Sequence, residues 1–135
     1  MHTNFIETVR LDNATKIHLM TLKRRTGIDQ WNILCRWAFC LSLSDETPVR
    51  ERTEREGRTV EMTWKTFAGD EEIIYRYLLL ERCQQENGNT DKDQLSSTLR
   101  EHISRGAGRL AAAGGVKSVS DLVALTQQRT RSKAA

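Results

Sequence analysis

The sequence predicts a mainly α fold: a compact helical domain of about five helices with one or two short strands and a strand–helix–helix N-terminal part. Three observations carry this. The run Ile33-Leu34-Cys35-Arg36-Trp37-Ala38-Phe39-Cys40-Leu41 is apolar around most of a helix, so it belongs at the centre of a domain or of an oligomer. Apolar residues recur at helical spacing in segments before and after it. Strict alternation from Arg58 to Trp64 marks a half-buried strand. At 135 residues with one proline, the chain reads as a single domain over residues 1–128, followed by a basic, disordered tail at 129–135.

The elements follow in order. Phe5–Leu11 is an extended segment, with Phe5, Val9 and Leu11 on one face. Asp12 or Asn13 caps a helix over Ala14–Arg25, and Gly27 stops it. Asp29 caps a second helix, Gln30–Leu43, in which Trp37, Phe39 and Leu41 are assigned to the core or to an oligomer contact. This strand–helix–helix order is ribbon-helix-helix-like, although Thr8 and Arg10 form a poor surface for reading bases. Residues 44–48 are a loop. The alternating charges of Arg50–Glu56 make a solvated connection to the Arg58–Trp64 strand.

Asp70-Glu71-Glu72 opens a third helix, whose buried face is read as Ile73, Ile74, Tyr77, Leu78 and Leu80. Asn87-Gly88 ends it. A fourth helix begins at Asp91 or Asp93 and carries Leu95, Leu99, His102 and Ile103 on one face, with His102 expected to be partly buried. Arg105-Gly106-Ala107-Gly108-Arg109 is expected to interrupt that helix. Gly114-Gly115 is a turn, and Ser118–Asp121 forms a capping box for a last short helix over Leu122–Gln127.

Charge is unevenly spread. Residues 1–43 hold six Lys/Arg against three acids, residues 44–104 nine against fourteen, and residues 105–135 six against one. Basic ends flanking an acidic middle suit a polyanion-binding face. Cys35, Cys40 and Cys83 form no CxxC and read as reduced core thiols. The three histidines show no ligand spacing to them, so neither metal nor cofactor is expected. No paired carboxylates on an otherwise apolar face, GxSxG, HExxH or Cys/His nucleophile arrangement is present, and the chain is expected not to be an enzyme. Gly106-Ala107-Gly108 between two arginines permits close approach to a phosphate but lacks the remaining parts of a nucleotide motif. No apolar stretch suits a membrane span and no signal-peptide layout is present, which leads to an expected cytoplasmic location.

Leu22-Lys23-Arg24-Arg25-Thr26-Gly27-Ile28, followed by Trp31-Asn32-Ile33-Leu34-Cys35-Arg36-Trp37-Ala38-Phe39-Cys40-Leu41-Ser42-Leu43, resembles the signature of DndE, the small subunit of the bacterial DNA phosphorothioation system. The likeness is strongest over residues 16–43 and extends in general form to about Leu125. Trp31 and the arginine-rich tail depart from the pattern. The resemblance implies a mostly helical, non-catalytic DNA-binding subunit with affinity for nicked duplex DNA, assembled as a homo-oligomer, with a tetramer expected. Its partners would be a cysteine desulfurase, an ATP-pyrophosphatase-like enzyme and an ATPase subunit, which together replace a non-bridging phosphate oxygen by sulfur.

Lys16, Lys23, Arg24, Arg25 and Arg36, with Arg105, Arg109 and Lys117 as a second group, are the candidate DNA-backbone contacts. The competing reading is a structural adaptor that binds partner subunits without touching DNA. A more distant one is a sulfur-carrying enzyme using Cys35 or Cys40.

Overall fold

A computed structural model describes residues 5–50 and 60–134, with side chains described up to residue 127. The expected mainly α domain is what it contains. Strand β1 (Thr8–Leu11) leads into helices α1 (Asn13–Thr26) and α2 (Trp31–Leu43). Strand β2 (Val60–Thr63) is followed by α3 (Trp64–Ala68), a single 3-10 turn at Gly69–Glu71, α4 (Glu72–Asn87), α5 (Lys92–Ala111) and α6 (Val119–Ala134).

The strand–helix–helix order is present, but β1 finds its partner within the chain. It pairs antiparallel with β2, Thr8 opposite Thr63 and Leu11 opposite Val60. Asp12 caps α1 by accepting from the Thr15 N–H at 2.9 Å. Gly27, at φ 78°, closes it with its N–H on the Lys23 carbonyl at 2.9 Å. That left-handed conformation suits glycine and ends the helix where its three cations cluster.

The core lies between α2 and α5, the most extensive helix pair. Leu34, Cys35, Ala38 and Phe39 face Leu99, Ile103 and Ala107, all buried. Phe39 meets Phe67, Tyr75 and His102 at ring-centroid distances of 5.7, 6.1 and 6.2 Å. Burying side chains of this size contributes about 1.5–3 kcal/mol each. Of the three α2 residues assigned to the core or an oligomer contact, Phe39 is fully buried, while Trp37 and Leu41 pack partly buried at its margin.

Several expectations are corrected. Asp29 does not cap α2; Gln30 is the cap residue and makes no side-chain bond. Trp64 does not end a strand but starts α3, because Thr63 accepts from the Thr66 N–H at 3.0 Å and turns the chain into a helix. The Arg58 end of that strand and the charged run lie within 51–59, outside the described residues.

Of the apolar face read for α4, Leu80 packs partly buried against the core and the other four residues point outward. Ile73, Ile74, Tyr77 and Leu78 are 67, 55, 65 and 40% exposed, and the buried residues are Leu79 and Cys83. Helix α5 is not interrupted at Gly106 and Gly108. A Cβ at Gly106 would lie 1.8 Å from the Ala38 carbonyl oxygen, so this glycine permits α2 and α5 to touch backbone to backbone. His102 is fully buried rather than partly so. Cys40 is exposed, unlike Cys35 and Cys83. Helix α6 spans Val119–Ala134, longer than the expected Leu122–Gln127.

Candidate nucleic-acid interface

The eight candidate cations divide by what surrounds them. Lys16 and Lys23 are seven residues apart on α1, within about 20° of one line along the helix. Lys16 is half-buried, and Lys23 and Arg24 are exposed in the last turn. Among the described residues, neither Lys23 nor Arg24 sits in an ion pair. Arg25 turns inward, its Nη1 donating to the Ala111 carbonyl at 3.1 Å and the Val116 carbonyl at 3.3 Å. It thereby ties the end of α1 to the turn after α5, which carries the exposed Lys117. Lys23 itself lies about 160° around the α1 axis from Arg25, so the clamp and the Lys16–Lys23 line occupy different sides of the helix.

Arg36 and Arg105 are held elsewhere. Arg36 reaches the exposed carbonyls at the end of α3, donating from Nε to Phe67 at 2.5 Å and from Nη2 to Thr66 at 3.4 Å. A Cβ at Gly69 would fall 2.7 Å from its Nη2, so glycine leaves room for this guanidinium. Arg105 donates from Nε to Ser42 Oγ at 2.8 Å, from Nη1 to the Thr47 carbonyl at 2.8 Å and from Nη2 to the Ser42 carbonyl at 2.9 Å. It pins the loop that follows α2.

Arg109 is half exposed and pairs with Asp45 Oδ2 at 2.8 Å. Asp45 also accepts from the Thr47 N–H at 2.8 Å. The hydrogen bonds of Thr47, then that of Arg109, hold its carboxyl well below the usual carboxylate range.

Sequence reasoning missed a buried polar chain between α2, α4 and α5. His102 Nδ1 lies 2.7 Å from Ser42 Oγ, and its Nε2 lies 3.0 Å from Glu86 Oε2, which Arg82 Nη1 also approaches at 3.2 Å. An Nε2–H facing a carboxylate must donate, so Nδ1 accepts from the serine hydroxyl. Burial pulls the His102 pKa down to about 4 against the pull of Glu86, with Arg105 and Arg82 acting in the same direction as burial. The order Ser–His–Glu is that of a nucleophilic triad. Ser42, however, is fully buried and its Oγ already takes the Arg105 Nε–H, so the arrangement fastens helices together rather than meeting a substrate. With Ser42 and His102 sixty positions apart, no local spacing signals it.

Cys35 is a poor nucleophile, because burial pushes its thiol up to about 12 against the Arg36 charge. Cys40 is exposed as a residue, yet partial desolvation of its thiol raises it too, against its hydrogen bond with Tyr75. Among the described residues, no three His, Cys, Asp or Glu side chains are grouped to hold a metal, and no helix is long and apolar enough to cross a membrane.

Residues 8–118 match the family model of the DNA sulphur modification protein DndE. The chain belongs to the DndE family. Its fold matches the crystal structure of DndE from Escherichia coli B7A, described as involved in DNA phosphorothioation modification. The TM-score is 0.62 at 22% identity, covering 77% of this chain and 96% of that one. A glycine-to-lysine DndE mutant, described as involved in DNA phosphorothioation, matches with the same TM-score and coverage at 20% identity. No curated protein matches the chain in sequence. The DndE match stops at residue 118, so α6 lies beyond it.

Proposed function

We propose that this DndE-family chain is a non-catalytic subunit of the DNA phosphorothioation machinery that grips duplex DNA by its phosphates, with a preference for nicked duplexes. The observation that carries this reading is the Arg25 clamp. By bonding the Ala111 and Val116 carbonyls, it fixes the end of α1, where Lys23 and Arg24 are exposed, to the turn that leads into Lys117. Exposed lysines and arginines suit a phosphate backbone and carry no base code; among the described residues Lys23 and Arg24 sit in no ion pair, while the Lys117 N–H donates to Asp121 at 2.8 Å. Lys16 extends the strip along α1. Arg25, Arg36 and Arg105 act through the scaffold and the field of their charges.

The test is a titration of the full chain against intact, nicked and single-stranded DNA at two salt concentrations. Duplex affinity is expected to fall steeply with salt and to vary little with sequence. Lys23→Gln, Arg24→Gln and Lys117→Gln should each flatten the log–log salt slope by about one unit. Absent or salt-insensitive duplex binding refutes the reading.

The α4 face favours a second reading. Ile73, Ile74, Tyr77 and Leu78 form an exposed apolar patch of the kind that marks protein contacts. It suits a homo-oligomer, the tetramer being the expected form, or docking to other subunits of the modification complex. An adaptor using this face alone shows no duplex affinity in the same titration.

A further inference from the structure

A cleft of about 560 Å³ opens between the first half of α1, the second half of α5 and the loop after α2. Its volume lies in the range of small-molecule sites. The walls divide by chemistry: Pro48, Val49, Ala14 and Ala112 supply an apolar side, while His18, Ser104 and three arginines supply polar groups. Arg50 comes from the loop, and Arg105 and Arg109 come from successive turns of α5. Gly108 forms part of the floor, and a Cβ there would stand 3.7 Å from His18 Nε2, so that ring nitrogen lies close over bare backbone.

Among the described residues, the acids at the cleft are Glu101 on the wall and Asp45 against Arg109. The carbonyls that Arg105 binds satisfy its N–H groups without cancelling its charge. The cleft therefore keeps an excess of positive charge, with Arg50 and Arg109 as the guanidiniums within reach of a ligand.

We infer that this cleft binds a nucleotide through its terminal phosphate. Arg50 and Arg109 take the phosphate oxygens, His18 completes the hydrogen bonds, and the sugar or base lies against Pro48 and Val49. A forked guanidinium matches a phosphate group, and a recess admits one nucleotide or a strand end rather than a continuous duplex. The site is separate from the Lys23/Arg24 corner: on α1 the cleft residues Ala14 and His18 lie roughly opposite Lys16 and Lys23 around the helix axis. The inference extends the duplex-binding reading, since a strand end displaying a phosphate is one source of such a ligand and a free nucleotide is the other.

The test follows amide resonances of the full chain during titration with a 5′-phosphorylated dinucleotide, the same dinucleotide with a 5′-hydroxyl, and a mononucleotide 5′-phosphate. The phosphorylated dinucleotide is expected to shift Gly108, His18 and Arg109 and to bind at least about tenfold tighter than the hydroxyl form. Arg50→Gln and Arg109→Gln should each weaken it several-fold, whereas Lys65→Gln on α3 should not. Equal binding of the two dinucleotides, shifts confined to other regions, or unaltered affinity in both arginine variants overturns the proposal.

Nicked duplexes with and without a 5′-phosphate then separate the sources. A phosphate-dependent gain that Arg50→Gln removes assigns the site to strand ends, and mononucleotide binding without that gain assigns it to free nucleotides. Salt-insensitive duplex binding with an intact dinucleotide response sinks the corner and spares the cleft; the reverse sinks the cleft alone.

Discussion

Replacing Gly106 by alanine tests the α2–α5 contact on which the core rests. The added Cβ would stand 1.8 Å from the Ala38 carbonyl oxygen, 2.4 Å from its carbon and 2.7 Å from its Cα. All three are backbone atoms, so no rotamer change relieves the clash, and the helices must separate by about 1.5 Å to restore ordinary contact. That separation loosens Leu34, Phe39, Leu99 and Ile103 together. Overpacking typically costs about 1–3 kcal/mol, and a backbone clash belongs at the upper end. Alanine's better helix propensity returns about 1 kcal/mol. The expected net loss is about 2 kcal/mol or more, seen in urea as a midpoint lowered by roughly 1 M at an unchanged slope. Gly108→Ala is the internal control. Its Cβ meets only His18 Nε2 at 3.7 Å, an ordinary contact, so it should gain about 0.5–1 kcal/mol. If Gly106→Ala matches or exceeds the parent midpoint, or if both variants move the same way, the close-approach argument is wrong.

Two further outcomes can be checked. His102 titrates near 4 in the folded chain against an ordinary 6.5, so the unfolded chain takes up the proton first and stability falls as pH drops through that window. The loss amounts to about 3 kcal/mol at most; His102→Asn should shrink the difference between urea midpoints at pH 7 and pH 5, and an unchanged difference rejects the neutral buried histidine. The double variant Ile74→Asp, Leu78→Asp should convert an oligomer into a 15.5 kDa species in sedimentation at micromolar concentration, with the helical circular-dichroism signal kept because both positions are exposed in the single chain. A parent chain that already sediments as a monomer, or a variant that stays associated, removes α4 as the contact.

What the sequence made legible was local. The Asp12 cap, the Gly27 stop, the buried α2 centred on Phe39 and the β2 alternation each depend on residues within a few positions of one another. What it concealed depends on partners far along the chain. The α4 periodicity marks Ile73, Ile74, Tyr77 and Leu78 as one face, but only packing decides whether that face or the one with Leu79 and Cys83 is covered. Gly106 reads as a helix break unless α2 is known to lie against it. In the candidate interface, the Lys23-Arg24-Arg25 corner was visible as charge. That Arg25 turns in to Ala111 and Val116 was not, because a guanidinium binds carbonyls as well as phosphates and no composition distinguishes the two.

The α2–α5 pairing also has a consequence for how the chain is made. Helix α2 is complete at Leu43, yet the helix that covers it begins at Lys92. At the usual pace of a ribosome, about 5–20 residues per second, roughly 50 residues separate them and about 3–10 s pass before α5 emerges. During that interval Leu34 and Phe39 have no α5 to lie against. A nascent chain of this protein thus offers a chaperone or a neighbouring nascent chain an uncovered apolar helix, and a product truncated before Ile103 and Gly106 never acquires the helix that would shield it.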